Sequence, residues 1–343
     1  MINRKIVLAR RPPSGVPALD TFRLIEEPVR ELADGEVLLE NQVIAIDPAI
    51  RGMLDDRKSY LPCVPLGGLI PAMVVGRVVR SRNPDFKEGS IGRGFIGWEE
   101  YSILVPGNIA MENLKVDPRV ALTTYVGALG WSGLTAYIGL HKIGEMKSGQ
   151  TVVMSAAAGA VGSVGCQIAK LRGNSVIGIV GSADKEAVLK KLGIGATINY
   201  KDTPDLGAAV LEACPSGADL YFDNVGGKTL DSMLPAMRDF GRIVVCGMIA
   251  NYNNADDQYP VRNLWQVLVH RLTMKGFLGY EHADMLAEAE EALTHWITSG
   301  AMTPLENITT DLENAPNAFV RLMSGETIGK TVVRINDRVR SLS

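Results

Sequence analysis

Apolar and polar positions follow two rhythms along this chain, and the change falls near Val126. Ahead of it, residues 36–41, 73–79 and 101–105 are short β-rich runs bounded by glycine or proline, which is a strand pattern. Behind it, strand-like and helix-like runs alternate. Residues 151–154 are β-branched and read as a buried strand. Val161, Val164, Ile168 and Leu171 then recur at helix spacing. Further strands are expected at 176–180, 197–200, 219–223, 241–247 and 273–278. Helices are expected at 184–192, 204–213, 228–238 and 263–270. In the 228–238 helix, Leu230, Met233, Leu234 and Met237 share a face. An amphipathic helix at 284–299 ends at Gly300, and a last strand spans 330–336. Buried strands alternating with helices imply a parallel sheet covered on both faces. The chain therefore reads as an α/β domain of nucleotide-binding type (126–300) between a β-rich part (1–125) and a tail (301–343) that rejoins that part. No internal repeat interrupts the pattern.

No charge occurs between Lys147 and Lys170, a length that could cross a bilayer. That stretch contains Gly149, Gly159, Gly162 and Gly165 with Ser155, Ser163 and Gln167, so strand, glycine turn and helix explain it better. With 35 basic against 38 acidic residues, nothing draws nucleic acid or an anionic membrane. Cys63, Cys166, Cys214 and Cys246 are scattered, which argues against a disulfide framework and a thiolate zinc site. The apolar run 6–9 is too short for a signal-peptide core. A cytoplasmic, reduced protein is expected. Glycine is over-used, with 36 residues in 343 against ~7% in an average chain. Fourteen of these lie between Gly127 and Gly195, so candidate chemistry is sought there.

The strand at 151–154 runs into Ser155-Ala156-Ala157-Ala158-Gly159-Ala160-Val161-Gly162. This is A-x-G-x-x-G, a variant of the dinucleotide fingerprint with Ala157 at the first glycine position. Gly159 would let the backbone approach a pyrophosphate, Gly162 would let helix pack on strand, and the free N–H groups at the helix start would hold phosphate. A close helix–sheet contact without a ligand would also need small residues there. The second strand ends in Val180-Gly181-Ser182-Ala183-Asp184-Lys185. NAD-binding proteins place a carboxylate at such a tip. Here Gly181 and Ser182 stand there, with Lys185 close behind, which favours the 2′-phosphate of NADP. Asp184 is expected as the cap of the following helix.

These residues resemble the medium-chain dehydrogenase/reductase superfamily. Within it they are similar to the zinc-independent double-bond reductases, which include prostaglandin, plant alkenal and bacterial curcumin-type reductases. The matching strings run in family order over nearly the whole chain. They are Asp47-Pro-Ala-Ile-Arg51-Gly52, Gly127-Ala-Leu-Gly130, Gly133-Leu-Thr-Ala-Tyr137, the 156–162 turn, Gly181-Ser182 with Lys185, Asn199-Tyr200-Lys201, Tyr221-Phe-Asp-Asn-Val-Gly-Gly227, Gly241-Arg-Ile-Val-Val-Cys-Gly-Met248, Tyr252-Asn253 and Gly329-Lys330-Thr-Val-Val333. The resemblance implies a Rossmann doubly wound sheet plus a GroES-like β-rich catalytic domain built from both chain ends. It implies NADPH, with Gly159, Ala160, Val161 and Gly162 at the pyrophosphate and Ser182, Lys185 and Tyr200 at the 2′-phosphate. Asn224, Cys246, Gly247, Met248, Tyr252, Phe277, Leu278 and Gly279 would lie along the cofactor. Thr327 stands where the family usually has Asn. Homodimers through Rossmann-domain edges are the family expectation.

Zinc chemistry is not expected, because only His141, His270, His282 and His295 are available and no Gly-His-Glu string occurs. His295 falls mid-helix as a structural or exposed side chain. The simplest remaining chemistry is metal-free conjugate reduction of a small-molecule substrate, an α,β-unsaturated aldehyde or ketone. Such a reaction needs a hydrogen-bond donor for the enolate and a proton. Tyr252 is the first candidate donor, and it reads equally as an aromatic packed on the cofactor. Cofactor ribose hydroxyls, water, Tyr60 and His270 are further candidates. Three expected pocket positions depart from the family: Val269 replaces a usual Tyr, Ala49-Ile50 lacks one, and Trp131-Ser132-Gly133 replaces Met-Pro-Gly. Trp131, with Tyr60 and Tyr280, points to an aromatic-lined pocket for a bulky or aromatic substrate. A quinone oxidoreductase, or an NADPH-binding protein without turnover, are the alternative readings.

Overall fold

The computed structural model describes residues 1–254 and 257–335. It divides into two units. The first takes Met1–Gly127, Glu306–Thr327 and the described residues from Thr331 on. The second takes Ala128–Leu305 and Ile328–Lys330.

The first unit is built on a seven-stranded sheet. Its spine is Val37–Ile46, buried at eight of ten positions, as a strand covered on both faces must be. Met73–Ser81, Tyr101–Leu104 and Lys330–Arg334 all pair with it antiparallel, and Thr331 faces Ile46. The tail thus supplies two strands, Glu306–Thr310 and Lys330–Arg334, to the N-terminal sheet. The last strand stops at Arg334, and Asn336 lies outside the described residues. A hairpin of Ile2–Leu8 and Phe22–Pro28 forms a separate two-stranded sheet. Phe22, Trp98 and Phe319 pack as an aromatic triad with ring centroids 5.5–5.9 Å apart. Beside it Glu99 is buried. Its Oε2 accepts from Asn3 Nδ2 at 2.8 Å and its Oε1 from Ser102 Oγ at 2.8 Å. Burial pushes the Glu99 carboxyl pKa up, against those two donors.

The second unit holds a six-stranded parallel sheet. Across the sheet the strands are Ala196–Asn199, Ser175–Val180, Thr151–Met154, Ala218–Asp223, Met237–Val245 and Thr273–Gly276. In chain order this is 3-2-1-4-5-6, the doubly wound Rossmann arrangement. Val152, Val153 and Met154 of the first strand are buried, as are Leu220, Tyr221 and Phe222 of the fourth. Helix Ala160–Leu171 follows the first strand, with Val164 and Ile168 buried.

One expected element is corrected. The run at 228–238 is not one helix. Gly227–Met233 is helical, Leu234–Ala236 is a single 3₁₀ turn, and Met237 opens the next strand. Pro235 explains the break, because it has no N–H to continue the ladder and disfavours helical backbone before it. Met237 is still buried, but as a strand residue. The pairing with Ala218–Asp223 then slips between Ala218/Met237 and Leu220/Arg242, where Phe240 takes a φ of +63°.

Candidate functional site

In an open parallel sheet, ligands bind beyond the carboxyl ends of the strands where the strand order reverses. Here that point lies between Thr151–Met154 and Ala218–Asp223. The residues just past those two strand ends are Ser155 and Asn224, and they are bonded together. Asn224 Nδ2 donates to the Ser155 carbonyl at 2.8 Å, and Asn224 N–H donates to Ser155 Oγ at 2.9 Å.

The glycine turn occupies the first of these ends. Ala156 takes a φ of +46°, an uncommon conformation for a residue with a Cβ, and the chain then reaches Gly159 as N-cap of helix Ala160–Leu171. No side chain caps this helix, so the N–H groups of its first turn face the strand ends without a side-chain acceptor. A Cβ on Gly162 would come within 2.3 Å of the Ala156 carbonyl oxygen, so helix and turn touch backbone to backbone. Gly159, Ala160, Val161 and Gly162 thus form a bare helix N-terminus that fits a pyrophosphate. Gly329 adds to the same turn, donating from its N–H to the Ala158 carbonyl at 2.7 Å.

At the end of Ser175–Val180 the expected phosphate residues converge. The Tyr200 ring lies on Gly181, where a Cβ would meet its Cε1 at 2.8 Å. Asp184 does not cap the next helix. Ser182 is the N-cap, its Oγ accepting from Lys185 N at 3.4 Å, and Asp184 sits in the first turn. The Ser182 hydroxyl keeps its proton to donate outward. Lys185 is half-buried, and burial first and the Lys201 charge second lower its pKa. Two lysines, a hydroxyl and a phenol with no carboxylate at the tip fit a 2′-phosphate.

The other flank is held by Asp223 and its neighbours. Cys246 and Gly247 donate their N–H groups to the Asp223 carbonyl at 2.8 and 3.1 Å. Met248 packs on Gly226, and the Tyr252 hydroxyl lies 3.5 Å from where a Gly247 Cβ would sit. Tyr252 is therefore brought to the same end of the sheet as Asn224 and Gly247. Burial and then Asp223 push the Cys246 thiol up to about 12, which favours the neutral thiol. Phe277, Leu278 and Gly279 follow the last strand at this end. The Phe277 ring turns back toward Gly139, whose Cβ position is 2.8 Å from its Cζ.

The aromatic candidates divide. Trp131 and Tyr280 meet edge to face with centroids 6.2 Å apart in the second unit. Tyr60 and Thr327 belong to the first unit, Tyr60 exposed and Thr327 buried. Val269 and His270 are not brought to the glycine turn. They precede strand Thr273–Gly276, so they lie at the amino end of the sheet, the opposite end. There His270 Nδ1 lies 3.0 Å from Asp239 Oδ1, and Phe240 N–H donates to the His270 carbonyl. Sequence reasoning assigned no role to Asp223, Ser155, Lys201 or Gly329, although all four fall inside quoted strings or beside the turn. Among the described residues no group of three or more His, Cys, Asp or Glu could hold a metal ion.

Residues 4–111 match the family described as the N-terminal domain of oxidoreductase, and residues 160–295 match the family described as zinc-binding dehydrogenase. The chain is 37% identical to the NADP(+)-dependent 2-alkenal reductase of Nicotiana tabacum, covering 98% of each. It is 36% identical to the NADPH-dependent curcumin reductase of Escherichia coli, covering 97% of each. Among solved structures, CurA from Vibrio vulnificus in complex with NADPH superposes with a TM-score of 0.89 at 34% identity. That match covers 97% of this chain and 99% of the other.

Proposed function

We propose a function from one premise: the chain belongs to the zinc-independent medium-chain dehydrogenase/reductase family. It is an NADP-dependent oxidoreductase acting on CH–CH groups, and it reduces the C=C bond of α,β-unsaturated aldehydes and ketones. The observation that carries this is the convergence of Ser182, Lys185, Tyr200 and Lys201 at a strand tip without a carboxylate, beside an uncapped glycine turn.

When bound, NADPH supplies the hydride for the β-carbon of the conjugated bond. The chain's own residues do the rest. Gly159–Gly162 hold the pyrophosphate by backbone N–H groups, and the lysine pair selects the phosphorylated ribose. Asn224, Gly247 and Met248 border the space over the fourth and fifth strands. The Tyr252 hydroxyl, beside Gly247, is the group we assign to donate a hydrogen bond to the substrate oxygen as negative charge develops there. The edge-to-face Trp131 and Tyr280 support an aromatic wall for a bulky substrate. Tyr60 is offered as a further pocket residue and Thr327 as a further cofactor residue, both on the family resemblance.

We also propose a homodimer through the sheet edge. Thr273–Gly276 pairs on one side only, and all four of its residues are exposed. Nearby, Leu264, Trp265 and Leu268 are 57%, 67% and 64% exposed on and beside one short helix. An open strand flanked by exposed apolar side chains can pair with the same strand of a second copy across a two-fold axis. Free Cys63, Cys166, Cys214 and Cys246 support a reducing compartment, which we take to be the cytoplasm. No helix among the described residues is long and apolar enough to cross a membrane.

The test is NADPH oxidation followed at 340 nm with enals, enones, aryl enones and quinones, repeated with NADH. Enal or enone turnover with NADPH preferred is the expected result. A quinone preference would replace the activity, and tight NADPH binding without any acceptor-dependent oxidation would leave a binding protein.

A further inference from the structure

Asp223 ends the fourth strand at the point where the strand order reverses, and it is fully buried. Its Oδ1 accepts four hydrogen bonds. They come from Tyr221 Oη at 2.7 Å, Ser155 Oγ at 3.1 Å, Val225 N at 2.9 Å and Gly226 N at 3.0 Å. None of the donors is a cation. Oδ2 is buried with no hydrogen-bond partner among the described residues. Two backbone N–H groups and two hydroxyls converging on one oxygen make a nest for an anion. A protonated acid would have to bury an O–H on Oδ2 without an acceptor, a further cost. Burial pushes the Asp223 carboxyl pKa up, but the four donors on Oδ1 and the lack of an acceptor for a proton on Oδ2 favour the carboxylate, and among the described residues no cationic side chain donates to it.

A scaffold alone does not require this charge. The Asp223 backbone already fixes Cys246 and Gly247, and Asn224 already ties the strand end to Ser155. Hydride donation, however, converts a neutral dihydropyridine ring into a pyridinium cation. A fixed, uncompensated negative charge in a low-dielectric site favours whatever positive charge develops near it.

We infer that Asp223 is a positioning residue whose buried charge biases the bound cofactor couple toward its oxidised, cationic form and so favours hydride donation. This rests on the NADP(H) reading above. Gly226, with a φ of +68°, donates its N–H to the same carboxylate oxygen, so one side chain bears on both the shape and the field at this crevice.

The experiment compares NADPH and NADP+ affinities of the full chain, by NADPH fluorescence titration and NADP+ competition. Asp223→Asn keeps the size and an oxygen for the four donors while removing the charge. It should weaken NADP+ on the order of tenfold more than NADPH, the size of effect that one charge exerts through a protein interior. Tyr221→Phe removes one donor but keeps the charge and should leave the NADP+/NADPH ratio unchanged. Equal weakening of both forms by Asp223→Asn would reduce the residue to a scaffold and overturn the proposal. Should that variant not fold, the wild type still decides. It is expected to bind NADP+ at least as tightly as NADPH, and a tenfold preference for NADPH would overturn the proposal. Wild-type failure to bind either dinucleotide would sink the cofactor reading, and this inference with it.

Discussion

Replacing Lys185 with alanine is the sharpest probe of the cofactor site. In the folded chain the Lys185 ammonium is half-buried and shares its surroundings with Lys201, and both effects depress its pKa. Both costs are already met in the unliganded protein. An incoming 2′-phosphate therefore meets a cation that is already partly desolvated and lies beside a second lysine, so less is lost on binding. A hydrogen bond between charged groups is worth about 1.5–3 kcal/mol, and each 1.4 kcal/mol is tenfold in affinity. Lys201, Ser182 and Tyr200 remain, so the lower part of that range applies. The NADPH KM and Kd of Lys185→Ala should rise roughly 10–50-fold, with kcat changed less than about threefold. NADH has no 2′-phosphate, so its constants should stay within about twofold of wild type. Steady-state kinetics with both cofactors, at a saturating enone, give the comparison directly. The ratio of the two effects decides the matter. A loss that is equal for NADPH and NADH would mean that Lys185 supports the fold of helix Ala183–Lys191 and not the phosphate. No loss with either cofactor would move the phosphate elsewhere and undo the assignment of Gly181–Lys185.

Three further perturbations test other parts of the molecule. Tyr252→Phe should lower kcat on the order of 10²-fold with the NADPH KM held, if its hydroxyl polarises the substrate oxygen; a raised NADPH KM at unchanged kcat would instead make it a packing residue. Glu99 is buried with its carboxyl pKa raised, so the folded state holds a proton that the unfolded chain releases near pH 4.5. Its contribution to stability is thus full below that pH and declines as pH rises through the higher folded value. Glu99→Gln should flatten this decline in urea midpoints above pH 4.5, and an unchanged slope would assign the pH dependence to other groups. Trp265→Glu puts a charge into the exposed apolar edge beside Thr273–Gly276 and should shift the protein from dimer to monomer in light scattering; an unchanged mass would remove that edge as the interface.

How much of this could be read from the chain depends on the range of the interaction that fixes each residue. Periodicity is local, so the alternation after Val126 identified the parallel sheet, and the glycine turn was legible because small residues at fixed offsets are a local requirement. Short-range competition was harder. Ser182 and Asp184 are both good caps, and only the backbone, extended at Ser182, decides between them. Pro235 is a local stop signal that outweighs the apolar face of Leu230, Met233, Leu234 and Met237. Val269 and His270 show the limit more clearly. The family resemblance puts a pocket residue just before the strand they precede, but a parallel strand has two ends. Only the pairing of Thr273 with Arg242 puts them at the amino end. Asp223 lies beyond all of these signals. Its identity is visible in the 221–227 string, yet nothing in that string reveals that Ser155, distant in sequence, donates to it, or that no cationic side chain among the described residues does. The Ser155 bond comes from sheet order, because the first and fourth strands are neighbours. A buried carboxylate without a counter-ion is costly to keep in any fold. Where one persists at the reversal of strand order, next to the turn built for an anionic dinucleotide, a role in the chemistry of that ligand accounts for the cost better than packing does.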